Sequence, residues 1–125
     1  MIRIDGPDGP RFAVLDYKTN WLAGPDQPLT AFHHRPAALA VVMARHHYGL
    51  QALLYTVALH RYLRWRLPGY NPQHNLAGVA YLFLRGMSGP GTPTVDGMPC
   101  GVFAWRPPAA LVEELSDVLD RGGGA

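Results

Sequence analysis

Arg11-Phe12-Ala13-Val14-Leu15-Asp16-Tyr17-Lys18 is an apolar run that ends in an acid and an amine. Its strand formers predict a β-strand from Arg11 to Lys18. Side chains alternate along a strand, so Asp16 and Lys18 are expected on one face and Tyr17 on the other. An acid and an amine side by side at a strand end can hold a metal ion and polarise or deprotonate a water. Arginine is unsuited to the second task because it does not release its proton in proteins. The contrast matters because Lys18 is the single lysine of the chain, against ten arginines. Taken alone, the pair is a weak signal, since solvated Asp-x-Lys pairs occur on many exposed strands.

Upstream, Met1 to Ile4 reads as the tail of a strand, and Asp5-Gly6-Pro7-Asp8-Gly9-Pro10 carries strong turn chemistry, so a hairpin is expected. Downstream, residues 23–35 read as a loop ending at Pro36, a good first residue for a helix. One helix is expected from Pro36 to about His47, interrupted by Gly49. A second is expected from about Leu50 to Leu67, apolar on most sides and therefore buried, and closed by Pro68-Gly69. Ala77 to Leu84 is a continuous apolar run that suits a central strand covered on both faces. Residues 86–101 form a Gly- and Pro-dense loop, Val102-Phe103-Ala104-Trp105 a short edge strand, and Pro107 to about Leu119 an amphipathic helix. In that last helix Leu111, Val112, Leu115, Val118 and Leu119 are expected to face inward. The order β-β-α-α-β-β-α predicts an α/β or α+β layer fold.

With 125 residues and 48% hydrophobic content, the chain is one domain or part of one and is far from a disordered composition. A net charge of +2 diagnoses no partner. Cys100 stands alone, which excludes an internal disulfide and fits a reducing compartment. The apolar stretch Ala37–Ala44 is too short to span a bilayer, and the N-terminus has no signal-peptide pattern; a cytoplasmic location is expected.

A second element supports the acid-amine pair. Gln51 and Tyr55 are four residues apart and share a face of the second predicted helix, with Ala58 and Tyr62 extending the stripe. A glutamine on an apolar helix is costly to bury without partners. Gln51 and Tyr55 either satisfy a loop backbone or face the Asp-Lys pair and help place a phosphate or the attacking water.

Asp16-Tyr17-Lys18-Thr19-Asn20-Trp21-Leu22 is followed by Tyr48-Gly49-Leu50-Gln51, Leu54-Tyr55, Ala58-Leu59-His60-Arg61-Tyr62-Leu63 and Gly78-Val79-Ala80-Tyr81-Leu82-Phe83-Leu84-Arg85-Gly86. In residues and in order this series resembles the C-terminal nuclease domain of the RecB family, part of the RecBCD helicase–nuclease (exonuclease V). AddA nucleases share the Asp-Tyr-Lys core and the Gln-Tyr helix, but Asn20-Trp21-Leu22 and Leu59-His60-Arg61-Tyr62-Leu63 look more like RecB. The resemblance implies a PD-(D/E)xK fold, a central mixed sheet flanked by helices and lacking its first elements. It implies a partial nuclease domain over residues 1–121, ahead of a Gly-rich tail at 122–125. It implies Asp16 as ligand of Mg²⁺ (or Mn²⁺), the Tyr17 carbonyl as a further ligand and Lys18 orienting or activating the water. Gln51 and Tyr55 match the Q-x-x-x-Y motif that contacts DNA or the active site. The implied activity is DNA phosphodiester hydrolysis in double-strand break repair. The implied partners are DNA, the remainder of a RecB-like helicase subunit and RecC/RecD-like subunits.

The family also uses an earlier aspartate and a histidine ligand upstream. Asp5 and Asp8 precede Asp16 but fall in the expected turn, with Asp5 the better of the two. The expectation is therefore that the first ligands lie outside this chain, leaving Asp16 and Lys18 as half a site. The chain alone would then have little nuclease activity; the alternative reading is a catalytically incompetent fragment that only docks on partner subunits or DNA. Other residues point less sharply to chemistry. His33-His34 and His46-His47 are expected in loop or surface roles, and His60 as structural. Arg61, Arg64 and Arg66 are phosphate contacts or a solvated helix end. Trp21, Trp65 and Trp105 are expected in the core, and Cys100 is not expected to be a nucleophile.

Overall fold

In the computed structural model, residues 1–20, 22–23, 29, 31–86, 92, 94–95 and 98–123 are described. The fold is α/β: a four-stranded mixed sheet flanked by helices. Its strands are β1 (Ile2–Gly6), β2 (Gly9–Lys18), β3 (Leu76–Phe83) and, last in the chain, Val102–Trp105. The last is β6, because two short strands, β4 (Thr94–Val95) and β5 (Met98–Pro99), form a separate antiparallel pair before it. The order across the main sheet is β1-β2-β3-β6. The apolar run around Val79 is thus an interior strand and Val102–Trp105 an edge, as the sequence predicts. The helices are α1 (Pro36–Arg45), α2 (Tyr48–Arg66), the single turn α3 (Pro72–Asn75) and α4 (Ala109–Gly123). None is long and apolar enough to cross a membrane.

The chain divides into two compact units. One comprises Met1–Val14, Leu50–Val79 and Trp105–Ala125; the other comprises Leu15–Gly49 and Ala80–Ala104.

The first unit holds an apolar core of Phe12, Val57, Leu59, Leu63, Leu76 and Val112, with Val14, Leu53, Leu67, Tyr70 and Leu115 packed against it. The hairpin is tighter than the sequence predicts. β1 and β2 pair antiparallel from Ile2↔Ala13 to Gly6↔Gly9, leaving only Pro7-Asp8 at the tip. Asp5 therefore belongs to strand β1, not to the turn. It is exposed and paired with Arg3 at 2.7 Å.

Asn75 fastens this hairpin to the rest of the unit. Its Oδ1 accepts from the Asn71 backbone N–H at 2.7 Å, and its Nδ2 donates to the Pro10 carbonyl at 2.8 Å. Asn75 is buried, so truncation leaves both backbone groups without this partner. Asn75→Ala is expected to cost about 2 kcal/mol, read as a lower urea midpoint in equilibrium unfolding.

Helix α2 is amphipathic in packing, not buried all round. Ala52, Thr56, Val57, Leu59, His60 and Leu63 are buried, whereas Leu50, Leu54, Tyr62 and Trp65 are exposed. Trp65 is 75% exposed and carries the Arg66 guanidinium 5.0 Å from its ring, so it is not a core residue. Apolar periodicity did not reveal which side of this helix is covered, because both sides are apolar. In α4 the inward set is smaller than predicted. Val112 and Ser116 are buried and Leu115 partly so, while Leu111, Val118 and Leu119 are exposed. Arg61 explains the placement of Ser116. Its guanidinium donates to Ser116 Oγ at 3.1 Å, to the Ser116 carbonyl at 3.0 Å and to Asp120 at 2.6 Å, fixing α2 to α4.

His60 is structural, as expected. It is buried on α2, and its Nδ1 shares a 2.7 Å hydrogen bond with the Tyr70 hydroxyl. Burial lowers its pKa below the usual 6.5, aided by Arg64 and Arg61 and opposed by Glu113 and Asp117. Burial, with the Glu113 charge, raises the pKa of Tyr70. A histidine with a depressed folded-state pKa contributes stability that is present above pH 6.5 and lost as pH falls through the lowered value. The melting temperature is therefore expected to drop between about pH 7 and 5, and His60→Asn to flatten that slope in parallel scans.

In the second unit a 3-10 turn (Ala31–His34) precedes α1. The Gly101 N–H donates to the His34 carbonyl at 2.8 Å, and the Phe83 N–H to the Gly101 carbonyl at 2.7 Å, so this turn and the turn at Cys100 are tied to the end of β3. Cys100 itself is buried. The break between α1 and α2 falls at His46-His47, not at Gly49. His46 caps α1 through its backbone N–H, and His47 takes a left-handed conformation with φ 56°. Gly49 lies within the first turn of α2. Trp21, part of the predicted core, lies outside the described residues.

Candidate active site

The end of β2 belongs to the second unit. The last three residues of β2 alternate as the sequence predicts. Tyr17 is exposed, whereas the side chains of Asp16 and Lys18 are each only 15% exposed. They form an ion pair, with Lys18 Nζ 3.3 Å from Asp16 Oδ1. The pair is therefore not a pair of solvated surface charges. An acid and an amine covered to this extent lose much of their hydration, which other groups must replace.

Aromatic rings supply part of that replacement. Lys18 Nζ lies 4.3 Å from the Tyr48 ring centroid and 5.4 Å from that of Tyr81. The negative π face of a tyrosine attracts an ammonium. The two rings stack on each other at 5.6 Å and 13°, and His46 stacks on Tyr48 at 5.2 Å and 17°. Tyr81 is fully buried on β3, and its hydroxyl donates to the Tyr48 carbonyl at 3.1 Å. Asn20 Nδ2 donates to the Tyr48 hydroxyl at 3.3 Å. Just beyond the strand, Arg85 Nε donates to the Thr19 carbonyl at 2.7 Å.

Neither tyrosine is identifiable as part of a site from periodicity. Tyr81 reads as one more apolar residue in a central strand, and Tyr48 as the residue before a helix-breaking glycine. The left-handed turn at His47 brings Tyr48 to the lysine.

Gln51 and Tyr55 belong to the first unit, on α2. Gln51 is half-buried. Tyr55 lines an apolar groove with Met1, Val14, Ala58, Leu59 and Tyr62.

A divalent cation fits Asp16 as one hard-oxygen donor. It does not find a complete donor set: among the described residues no three His, Cys, Asp or Glu side chains come together. An acid and an amine alone are a chemical fragment that many hydrolases share, so the geometry does not name the reaction.

Comparison with known proteins names a family instead. The RecBCD enzyme subunit RecB of Mycolicibacterium smegmatis is 56% identical over 112 residues, covering 90% of this chain and 10% of that protein. RecB of Mycobacterium tuberculosis H37Rv is 53% identical over 114 residues, 91% of this chain. The chain is homologous to a segment of RecB. RecB of Escherichia coli K12, at 39% identity over 109 residues, covers 87% of the chain and shows that the likeness extends beyond mycobacteria. This RecB-like chain spans about a tenth of the length of the curated relatives it matches. No family model matches it.

Proposed function

We propose that this chain carries part of the nuclease centre of a RecB-like helicase–nuclease, which hydrolyses DNA phosphodiesters during double-strand break repair. The observation that supports this most is the largely covered Asp16–Lys18 pair at the end of β2, in a chain homologous to a RecB segment. Asp16 and the Tyr17 carbonyl would hold Mg²⁺ or Mn²⁺ together with ligands from elsewhere in the longer protein. When bound, such an ion supplies charge neutralisation on the phosphate and a more acidic water. Lys18 places a positive amine beside the carboxylate, where it orients the attacking water and offsets charge on the phosphate. Gln51 and Tyr55 are proposed to contact the DNA strand. DNA, the rest of the RecB-like subunit and RecC/RecD-like subunits are the proposed partners.

A second reading has one specific observation in its favour. Because no complete donor set assembles among the described residues, the chain by itself is a non-cleaving segment that docks on partner subunits or DNA. Digestion of linear duplex DNA with Mg²⁺, using the chain alone and within a RecB-type subunit, separates the two. Cleavage by the isolated chain that Lys18→Ala abolishes would sink the second reading. Undiminished cleavage by the Lys18→Ala subunit would sink the first.

A further inference from the structure

We infer that Tyr48 and Tyr81 are positioning residues that set where the Lys18 amine stands; as a statement about catalysis, this rests on the nuclease reading of Lys18. A lysine side chain has four rotatable bonds, and an ion pair to one carboxylate oxygen fixes distance but little orientation. Here the ammonium is confined from two directions. Asp16 Oδ1 holds it at 3.3 Å, and the Tyr48 and Tyr81 rings lie 4.3 and 5.4 Å away.

The rings are themselves held. Tyr81 comes from β3 and is fully buried, so its ring has no room to swing. Its hydroxyl bonds the Tyr48 carbonyl, which fixes the start of α2. The left-handed His47 just before it turns the chain so that Tyr48 lies parallel to Tyr81. Asn20, two residues beyond Lys18, then bonds the Tyr48 hydroxyl and closes a ring of contacts around the lysine. A nucleophile or charge displaced by about 1 Å loses on the order of 100-fold in rate, so such confinement bears on turnover more than on binding.

Lys18 is the only lysine, so labelling with ¹³C-lysine gives one set of side-chain resonances for direct observation. In the unaltered chain the Lys18 Hε protons are expected to show a ring-current shift and nuclear Overhauser contacts to the Tyr48 ring. Tyr48→Phe keeps the ring and is expected to keep both. Tyr48→Leu is expected to return the shift to that of an unstructured lysine, with helix content retained by circular dichroism. Absence of the contacts in the unaltered chain overturns the inference without any variant being needed. A Lys18 shift unmoved by Tyr48→Leu overturns it as well.

The catalytic consequence is read in a RecB-type subunit carrying the same substitutions. Tyr48→Leu is expected to lower kcat by about tenfold or more with KM within about twofold, and Tyr48→Phe to restore kcat. If Lys18→Ala abolishes cleavage while Tyr48→Leu cleaves normally, the inference fails and the nuclease reading stands. If Lys18→Ala cleaves normally, the nuclease reading fails, and the catalytic part of the inference falls with it.

Discussion

Lys18→Ala in a RecB-type subunit is expected to reduce Mg²⁺-dependent digestion of linear duplex DNA by about 1,000-fold, the scale on which removal of one transition-state charge contact acts. The side chain is only 15% exposed and is paired with Asp16, so its loss removes a positive charge from a largely covered position where water replaces it poorly. Some stability is lost as well, because Asp16, itself only 15% exposed, loses this partner; a cost of about 2 kcal/mol or more is expected. The signature to seek is a loss of rate that persists at temperatures where the variant is fully folded. Lys18→Arg then separates the two roles of the amine. Arginine keeps the charge and does not give up its proton, so recovery to within about tenfold identifies a charge contact, and no recovery identifies a base. Asp16→Asn is expected to be as damaging as Lys18→Ala. It should also remove any Mg²⁺- or Mn²⁺-dependent rise in melting temperature, because a neutral amide is a poor replacement for a carboxylate ligand.

Gly78→Ala is expected to destabilise the fold by about 3 kcal/mol or more and to lower the melting temperature by more than about 10 °C. Gly78 sits in β3 with φ 107°, where side chains other than hydrogen are strained. An added Cβ would stand 2.6 Å from the Trp105 carbonyl oxygen and 3.0 Å from Arg106 Cα, both backbone atoms that cannot rotate aside. Two controls sort the causes. Gly69→Ala has a positive φ and nothing within 4 Å, so it should cost only about 1 kcal/mol of backbone strain. Gly49→Ala lies in the first turn of α2 with open space around it and should be neutral or stabilising by up to about 1 kcal/mol. Thermal melts of the three variants test the series. A Gly78→Ala chain that melts with the Gly69→Ala chain would show that the backbone approach between β3 and Trp105 is not rigid.

Much of the fold was legible because its signals are local. Strand β2, the interior strand β3 and helix α1 after Pro36 each follow from apolar runs, a proline or a turn cluster that act within a few residues. The differences arise where a local signal gives way to pairing or packing. Glycine is a poor helix former and marks Gly49 as the helix break, yet the break is made at His46-His47, where His47 takes the left-handed conformation. Gly6 and Pro7 mark Asp5 as part of a turn, yet strand pairing continues to Gly6↔Gly9. The outward sides of α2 and α4 carry leucine, valine and tryptophan, so residue type did not show which side is covered.

What the sequence determined by itself is the chemistry available: one lysine two residues from one aspartate, on one face of a strand, in an order of motifs shared with RecB. Alternation along a strand is a property of every extended chain, and so that face could be read without coordinates. What only the tertiary structure decided is the setting of that lysine. Tyr48 and Tyr81 are 33 residues apart in the chain and meet through a stack, a hydroxyl bond and one left-handed residue. Contacts of that sequence separation leave no periodic trace, because they arise from the packing of a helix start against a buried strand and not from any repeat in the residues themselves.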